Sequence, residues 1–135
     1  DTSVSESYNI PEIKPENYGV VLVTGIALPD SLLHFLEKYF KEIVHLNFPD
    51  HHYFSEYDIE KIKTALAGLR SKEKIIITTE KDAVRLREFT NIEDSFKRAI
   101  YCIPVGVSFL RNEKLEFDNL IFNYVRKNKR DHRVP

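Results

Sequence analysis

The sequence predicts an α/β fold: a mostly parallel sheet with helices on both faces, Rossmann-like in its three layers, in a single domain. Three observations predict it. Short runs rich in β-branched residues recur at Val20–Val23, Ile43–Phe48, Ile75–Thr78 and Ala99–Ile103, as expected of strands covered on both faces. Stretches with helical spacing alternate with them, and strand–helix alternation with short connections builds a parallel sheet. The chain has 135 residues, 42% hydrophobic and 30% charged, which suits one domain with its own core.

Residues 1–18 are polar, carry Pro11 and Pro15, and read as an incoming linker. The α/β domain is expected over 19–128 and a basic tail over 129–135. After the first strand comes Thr24-Gly25-Ile26-Ala27. Pro29 then suits the first turn of a helix, with Asp30 favouring its positive end. Leu32, Leu33, Phe35, Leu36, Tyr39 and Phe40 give that helix one broad apolar face, with His34 at its boundary. The second strand carries His45 on a face and stops at Pro49, which has no N–H for a ladder. Ser55 followed by Asp58 resembles a capping box for a helix buried through Ile59, Ile62, Leu66 and Leu69, with Gly68 near its end. The third strand runs into Thr79-Glu80-Lys81-Asp82, a second Thr-x-x-Asp helix start, followed by Ala83, Val84, Leu86 and Phe89. Residues 90–98 read as polar loop or a short turn. Pro104 stops the fourth strand, and Val105 to Leu110 suit a short continuation. Asn112-Glu113 suits a turn. Phe117, Leu120, Ile121, Tyr124 and Val125 have the spacing of a last amphipathic helix.

Ligands of open α/β sheets collect at the carboxyl ends of the strands. That rule gathers Asp50, His51, His52, Thr79, Glu80 and Lys81 at one edge. The Asp50-His51-His52 triplet suits a metal, a proton relay or a plain turn. Zinc needs three or four ligands, and adjacent histidines on extended backbone point apart, so the triplet offers at most a start. A proton relay needs one imidazole, whose free pKa is about 6.5. Thr79 to Asp82 suits a helix cap with an exposed acid–base face, or a place where Lys81 meets an anion.

Other classes are excluded. The four glycines, Gly19, Gly25, Gly68 and Gly106, are scattered, and neither GxxxxGK[ST] nor GxGxxG occurs. A net charge of −1 does not favour nucleic acid. Arg126, Lys127, Lys129, Arg130 and Arg133 crowd the C-terminal end with no interleaved aromatic pattern, which leaves a solvated end or an anionic lipid contact. The lone Cys102 excludes an internal disulfide and suits a reducing compartment. The chain contains no methionine and begins at Asp1, the expectation for a piece of a longer protein.

Three blocks carry a resemblance: Thr24-Gly25-Ile26-Ala27 with Pro29; Phe48-Pro49-Asp50-His51-His52-Tyr53-Phe54; and Thr78-Thr79-Glu80-Lys81-Asp82-Ala83-Val84-Arg85-Leu86. In order and spacing they resemble the carboxyl-terminal half of the tetraacyldisaccharide 4'-kinases of lipid A biosynthesis. The resemblance covers residues 18–110, and the last block is its most specific part. It implies transfer of the ATP γ-phosphate, with Mg2+, to the 4'-hydroxyl of lipid A disaccharide 1-phosphate at the cytoplasmic face of the inner membrane. It implies that ATP and Mg2+ are bound mainly by an amino-terminal P-loop domain absent from this chain. The chain alone is then expected to be soluble and inactive. It implies that His51, with an Asp from that other domain, deprotonates the acceptor hydroxyl. Asp50, Thr79, Glu80 and Lys81 are left with orienting or structural parts, and no role passes to His52. The competing readings are a non-enzymatic α/β interaction or regulatory module and a metal-dependent phosphohydrolase built on Asp50 and His51.

Overall fold

The computed structural model describes residues 14–89, 92–103 and 122–123. A 3-10 turn at Pro15–Asn17 leads into β1 (Tyr18–Thr24). There follow α1 (Asp30–Glu37), β2 (Glu42–Asn47), α2 (Glu56–Ala67), β3 (Glu73–Thr79), α3 (Glu80–Leu86), α4 (Asp94–Arg98), β4 (Ile100–Ile103) and β5 (Phe122–Asn123). The sheet order is β2-β1-β3-β4-β5. The first four strands are parallel, and β1 is central to them, with Val21 beside Val44 on one side and Ile76 on the other.

The alternation of side chains along β1 divides the core in two. Val20 and Leu22 pack with Leu32, Phe35 and Leu36 of α1 and with Ile75 and Ile77 of β3. Val21 and Val23 face the other way, onto Ile59 and Ile62 of α2, Ala83 and Leu86 of α3 and Phe96 of α4. Helices therefore cover both faces, as the sequence predicts. Burying each of these larger aliphatic side chains contributes about 1.5–3 kcal/mol before chain entropy is charged against it.

The elements differ from expectation in instructive places. β1 and β3 extend beyond their apolar runs to Tyr18 and Glu73, because ladder pairing continues through residues at the margin of the core, where Tyr18 is partly buried and Glu73 exposed. β1 thus starts on the last residue assigned to the linker. α1 stops at Glu37, yet Phe40 still reaches the core, carried by a turn in which its N–H donates to the Leu36 carbonyl at 3.0 Å. Val84 is 52% exposed: in a seven-residue helix whose Ala83 and Leu86 point inward, position 84 faces out. Within the stretch read as loop or short turn, Asp94–Arg98 is a short helix that buries Phe96.

The largest correction concerns the last amphipathic helix. Phe122–Asn123 is a strand, paired antiparallel to β4 with Cys102 opposite Phe122 and Tyr101 opposite Asn123. Aromatic and β-branched residues suit a pleated surface as well as a helix. An unpaired outer edge on β4 is a strong competitor for them. Phe117, Leu120, Ile121, Tyr124 and Val125, the continuation at Val105 to Leu110, the Asn112-Glu113 turn, residues 1–13 and the basic tail lie outside the described residues.

Candidate active site

The connection after β1 leads to α1 on one face, and the connection after β3 leads to α3 on the other. Neighbouring strands whose connections diverge leave a crevice at their carboxyl ends. The turn after β2 borders it. Phe48 N–H donates to the Thr24 carbonyl at 2.7 Å, continuing the β1–β2 pairing by one residue before Pro49 ends it. The Pro49 carbonyl accepts from His52 N–H at 3.1 Å and closes a four-residue turn. His51 takes its third position with φ 61°, where a type II turn ordinarily has Gly or Asn. His51 N–H donates to the Gly25 carbonyl at 3.0 Å, sewing this turn to the end of β1.

A single carboxylate ties the β1 and β3 ends together. Asp82 is fully buried. Its Oδ2 accepts from Gly25 N–H at 2.9 Å and from the Thr79 hydroxyl at 2.8 Å. Its own N–H donates back to Thr79 Oγ1 at 3.1 Å, which caps α3. Its Oδ1 accepts from Arg85 Nη1 at 3.1 Å, and Arg85 Nη2 lies 3.1 Å from His51 Nδ1. Position 25 has to be glycine for this packing: a Cβ there would stand 2.9 Å from Asp82 Oδ1 and 3.2 Å from the Pro49 carbonyl.

The adjacent histidines are put to different uses. His52 turns inward, stacks on Phe48 with ring centroids 4.8 Å apart, and binds Asp58 Oδ2 through Nε2 at 2.8 Å. Asp58 also closes the capping box of α2, accepting from Ser55 N–H at 3.0 Å while Ser55 Oγ accepts from Asp58 N–H at 3.2 Å. Burial pushes the Asp58 carboxyl upward, but the bonds from His52 and Ser55 outweigh it and hold the group below its ordinary value. His51 turns outward with its side chain 67% exposed, and its Nε2 lies 3.6 Å from Asp50 Oδ2. At the start of β2's outward end, His45 Nε2 meets Thr24 Oγ1 at 2.8 Å, and Thr24 donates to Asn47 Oδ1 at 3.1 Å. Burial holds the His45 imidazole below its ordinary value, against a smaller opposing pull from Asp30.

The structure therefore brings Asp50, His51 and Thr79 to one edge, as the sequence predicts. Thr79 is committed to Asp82 and the helix cap. Glu80 is half-buried, and Lys81 is exposed on the first turn of α3. The sequence reading missed Asp82 and Arg85 as site residues. The Thr79-x-x-Asp82 spacing predicts only a helix cap; the usable signal is Arg85 three residues later on the same helix face.

The residues described do not fit ATP phosphates. A phosphate loop offers free backbone N–H groups, whereas the Gly25 amide is occupied by Asp82. Among the described residues no group of three or more His, Cys, Asp or Glu is placed to hold a metal ion. A groove of about 440 Å³ lined in part by Ile59, Lys63, Phe89 and Ile92 shares no residue with the cluster around His51. No helix among the described residues is long and apolar enough to cross a membrane.

A family profile described as "Tetraacyldisaccharide-1-P 4'-kinase" matches residues 4–125. The chain belongs to this family. It is 39% identical over 131 residues to the tetraacyldisaccharide 4'-kinase of Bacteroides thetaiotaomicron, covering 97% of this chain and 34% of that protein. It is 40% identical over 116 residues to that of Bacteroides fragilis, covering 86% and 31%. It is 39% identical over 123 residues to that of Flavobacterium psychrophilum, covering 91% and 32%. The chain thus spans about a third of the length of the curated relatives it matches. No solved structure matches it.

Proposed function

We propose that this chain is the acceptor-side domain of a kinase that transfers the ATP γ-phosphate to the 4'-hydroxyl of lipid A disaccharide 1-phosphate. In this reading His51 works with an Asp from an amino-terminal P-loop domain to take the proton from that hydroxyl. The observation that carries the reading is the presentation of His51. It is an exposed imidazole held at positive φ on the carboxyl edge of the sheet, tied to the end of β1 through the Gly25 carbonyl and to α3 through Arg85, while its neighbour His52 is absorbed into a helix cap. Family membership supplies the reaction class.

Phosphoryl transfer depends mainly on positioning and charge stabilisation, and it tolerates a division of parts between domains. Domain closure then assembles the site only around bound substrates. In this reading ATP and Mg2+ are held mainly by the other domain, and the occupation of the Gly25 amide by Asp82 supports it. The 135-residue chain alone is accordingly inactive, and the complete enzyme works against the membrane surface where its substrate lies.

The test is phosphorylation of lipid A disaccharide 1-phosphate by the full-length protein as wild type, His51→Ala and His52→Ala, below the melting temperature of each. Loss of proton-transfer assistance predicts a fall of about 10²-fold or more for His51→Ala. His52→Ala keeps most of the rate and loses stability. A wild type that transfers no phosphate would overturn the reading in favour of an interaction module. Equal rates for wild type and His51→Ala would leave His51 structural.

A further inference from the structure

We propose that Arg85 is a positioning residue for His51, and that its anchorage on the buried Asp82 fixes the tautomer His51 presents. The inference rests on the reading of His51 just given and adds residues that no motif assigned to the chemistry.

Arg85 faces two ways. Nη1 is held by Asp82 Oδ1 at 3.1 Å, and Nη2 stands 3.1 Å from His51 Nδ1. A guanidinium is a donor at every nitrogen. The contact is therefore a hydrogen bond only when Nδ1 offers a lone pair. The neutral ring then carries its proton on Nε2, the nitrogen nearer Asp50. A carboxylate brought to that side by another domain would meet an N–H of fixed direction and would itself take the hydroxyl proton, because Nδ1 is committed to Arg85 and Nε2 already carries a proton; His51 serves the pair by orienting that carboxylate.

The anchorage makes this more than a surface contact. The Arg85 side chain is only 16% exposed and Asp82 is fully buried. Asp82 cannot swing, because Gly25 N–H and the Thr79 hydroxyl fix its second oxygen. The planar fork transmits that rigidity to the imidazole, and a single ammonium cannot hold both partners in the same way. The backbone of His51 is fixed to the Gly25 carbonyl at 3.0 Å, so ring and main chain are both referenced to the end of β1. Without Arg85, an exposed imidazole would keep its rotamer freedom and could carry its proton on either nitrogen.

Arg85→Lys is the discriminating variant, because it retains a cation for Asp82 and releases His51. In the full-length protein, kcat for lipid A disaccharide 1-phosphate falls about 10- to 100-fold, the size expected from misplacing one catalytic group, while KM stays within about twofold. The double variant Arg85→Lys/His51→Ala loses no more than His51→Ala alone, because Arg85 acts through His51. The same protein labelled with 15N-histidine, with the His51 signals assigned by their absence in His51→Ala, shows an unprotonated Nδ1 in wild type and a tautomer mixture in Arg85→Lys. Wild-type kcat in Arg85→Lys would overturn the proposal, as would losses that multiply in the double variant. A wild-type ring protonated on Nδ1 would overturn it without any variant having to fold. Unchanged activity in His51→Ala sinks the underlying reading instead, so the two failures are distinguishable.

Discussion

Replacing Asp82 with Asn tests whether one carboxylate joins the strand ends of this domain. The amide has nearly the same shape, so packing is preserved and only hydrogen-bond chemistry changes. The carboxylate accepts from Gly25 N–H, the Thr79 hydroxyl and Arg85 Nη1. An amide offers one oxygen and one NH2 group. With the oxygen toward Gly25 and Thr79, the NH2 faces the Arg85 guanidinium, donor against donor, and a cation that is 16% exposed loses its counter-charge. With the amide reversed, Arg85 keeps a neutral acceptor, but Gly25 N–H faces a donor in a site with no access to water. Leaving one buried donor unsatisfied costs about 1–3 kcal/mol. Breaking a buried ion pair costs about 3–5 kcal/mol, and partial solvent access to Arg85 favours the low end. About 3 kcal/mol is expected in all. For a domain of this size that lowers the melting temperature by about 10 °C. Thermal unfolding of the 135-residue chain, followed by far-UV circular dichroism, measures it, with an unchanged spectrum at low temperature as the check on fold. A variant melting within about 2 °C of wild type would refute the assignment of Asp82 as the tie.

Two further outcomes are expected. Burial holds His45 below its ordinary value, so the fold favours the neutral ring. The unfolded chain takes up a proton near pH 6.5, and stability therefore falls as pH drops below that value toward the folded one. His45→Gln flattens this part of the curve of urea midpoint against pH, and an unchanged curve would count against His45 as its source. His51→Asn places at φ 61° a residue that tolerates left-handed backbone. Its melting temperature matches or exceeds wild type, whereas full-length activity is lost; a drop of more than about 5 °C would show that the His51 ring supports the fold.

Much of the fold was legible because two periodicities are clean. Val20 to Val23 and Ile75 to Thr78 have no polar alternation, which only strands covered on both faces tolerate. Ser55 and Asp58 formed the reciprocal cap their spacing announced. The strand at Phe122–Asn123 was illegible because it answers to an edge formed by Tyr101 and Cys102, some twenty residues away and outside any local window. Phe96 was missed because a five-residue helix is too short for its period to register. At the site, alternation correctly separated His51 from His52, although it supplied the wrong cause. The divergence comes from the turn and the positive φ at His51, not from extended backbone. Asp82 was hidden because its partners come from β1, its own cap and its own helix at once. Thr-x-x-Asp predicts the cap, while nothing in its spacing indicates the amide of Gly25.

The two histidines show why exposure carries the functional reading. His52 improves the fold wherever it touches it: it stacks on Phe48, binds Asp58, and helps hold that carboxylate ionised at the start of α2. His51 does the reverse. Its backbone occupies a region that costs a non-glycine residue about 1 kcal/mol or more. Its contact with Asp50 is long and exposed, of a kind that contributes little. Asn would fill the turn at lower cost, and Arg85 would still have Asp82. A side chain that strains its own turn, and is nevertheless held in one direction by a buried carboxylate through an arginine fork, is what the proposed function asks of His51. Such strain persists only where surrounding structure over-determines it, and the Gly25–Asp82–Arg85 tie is the surrounding structure that does so here.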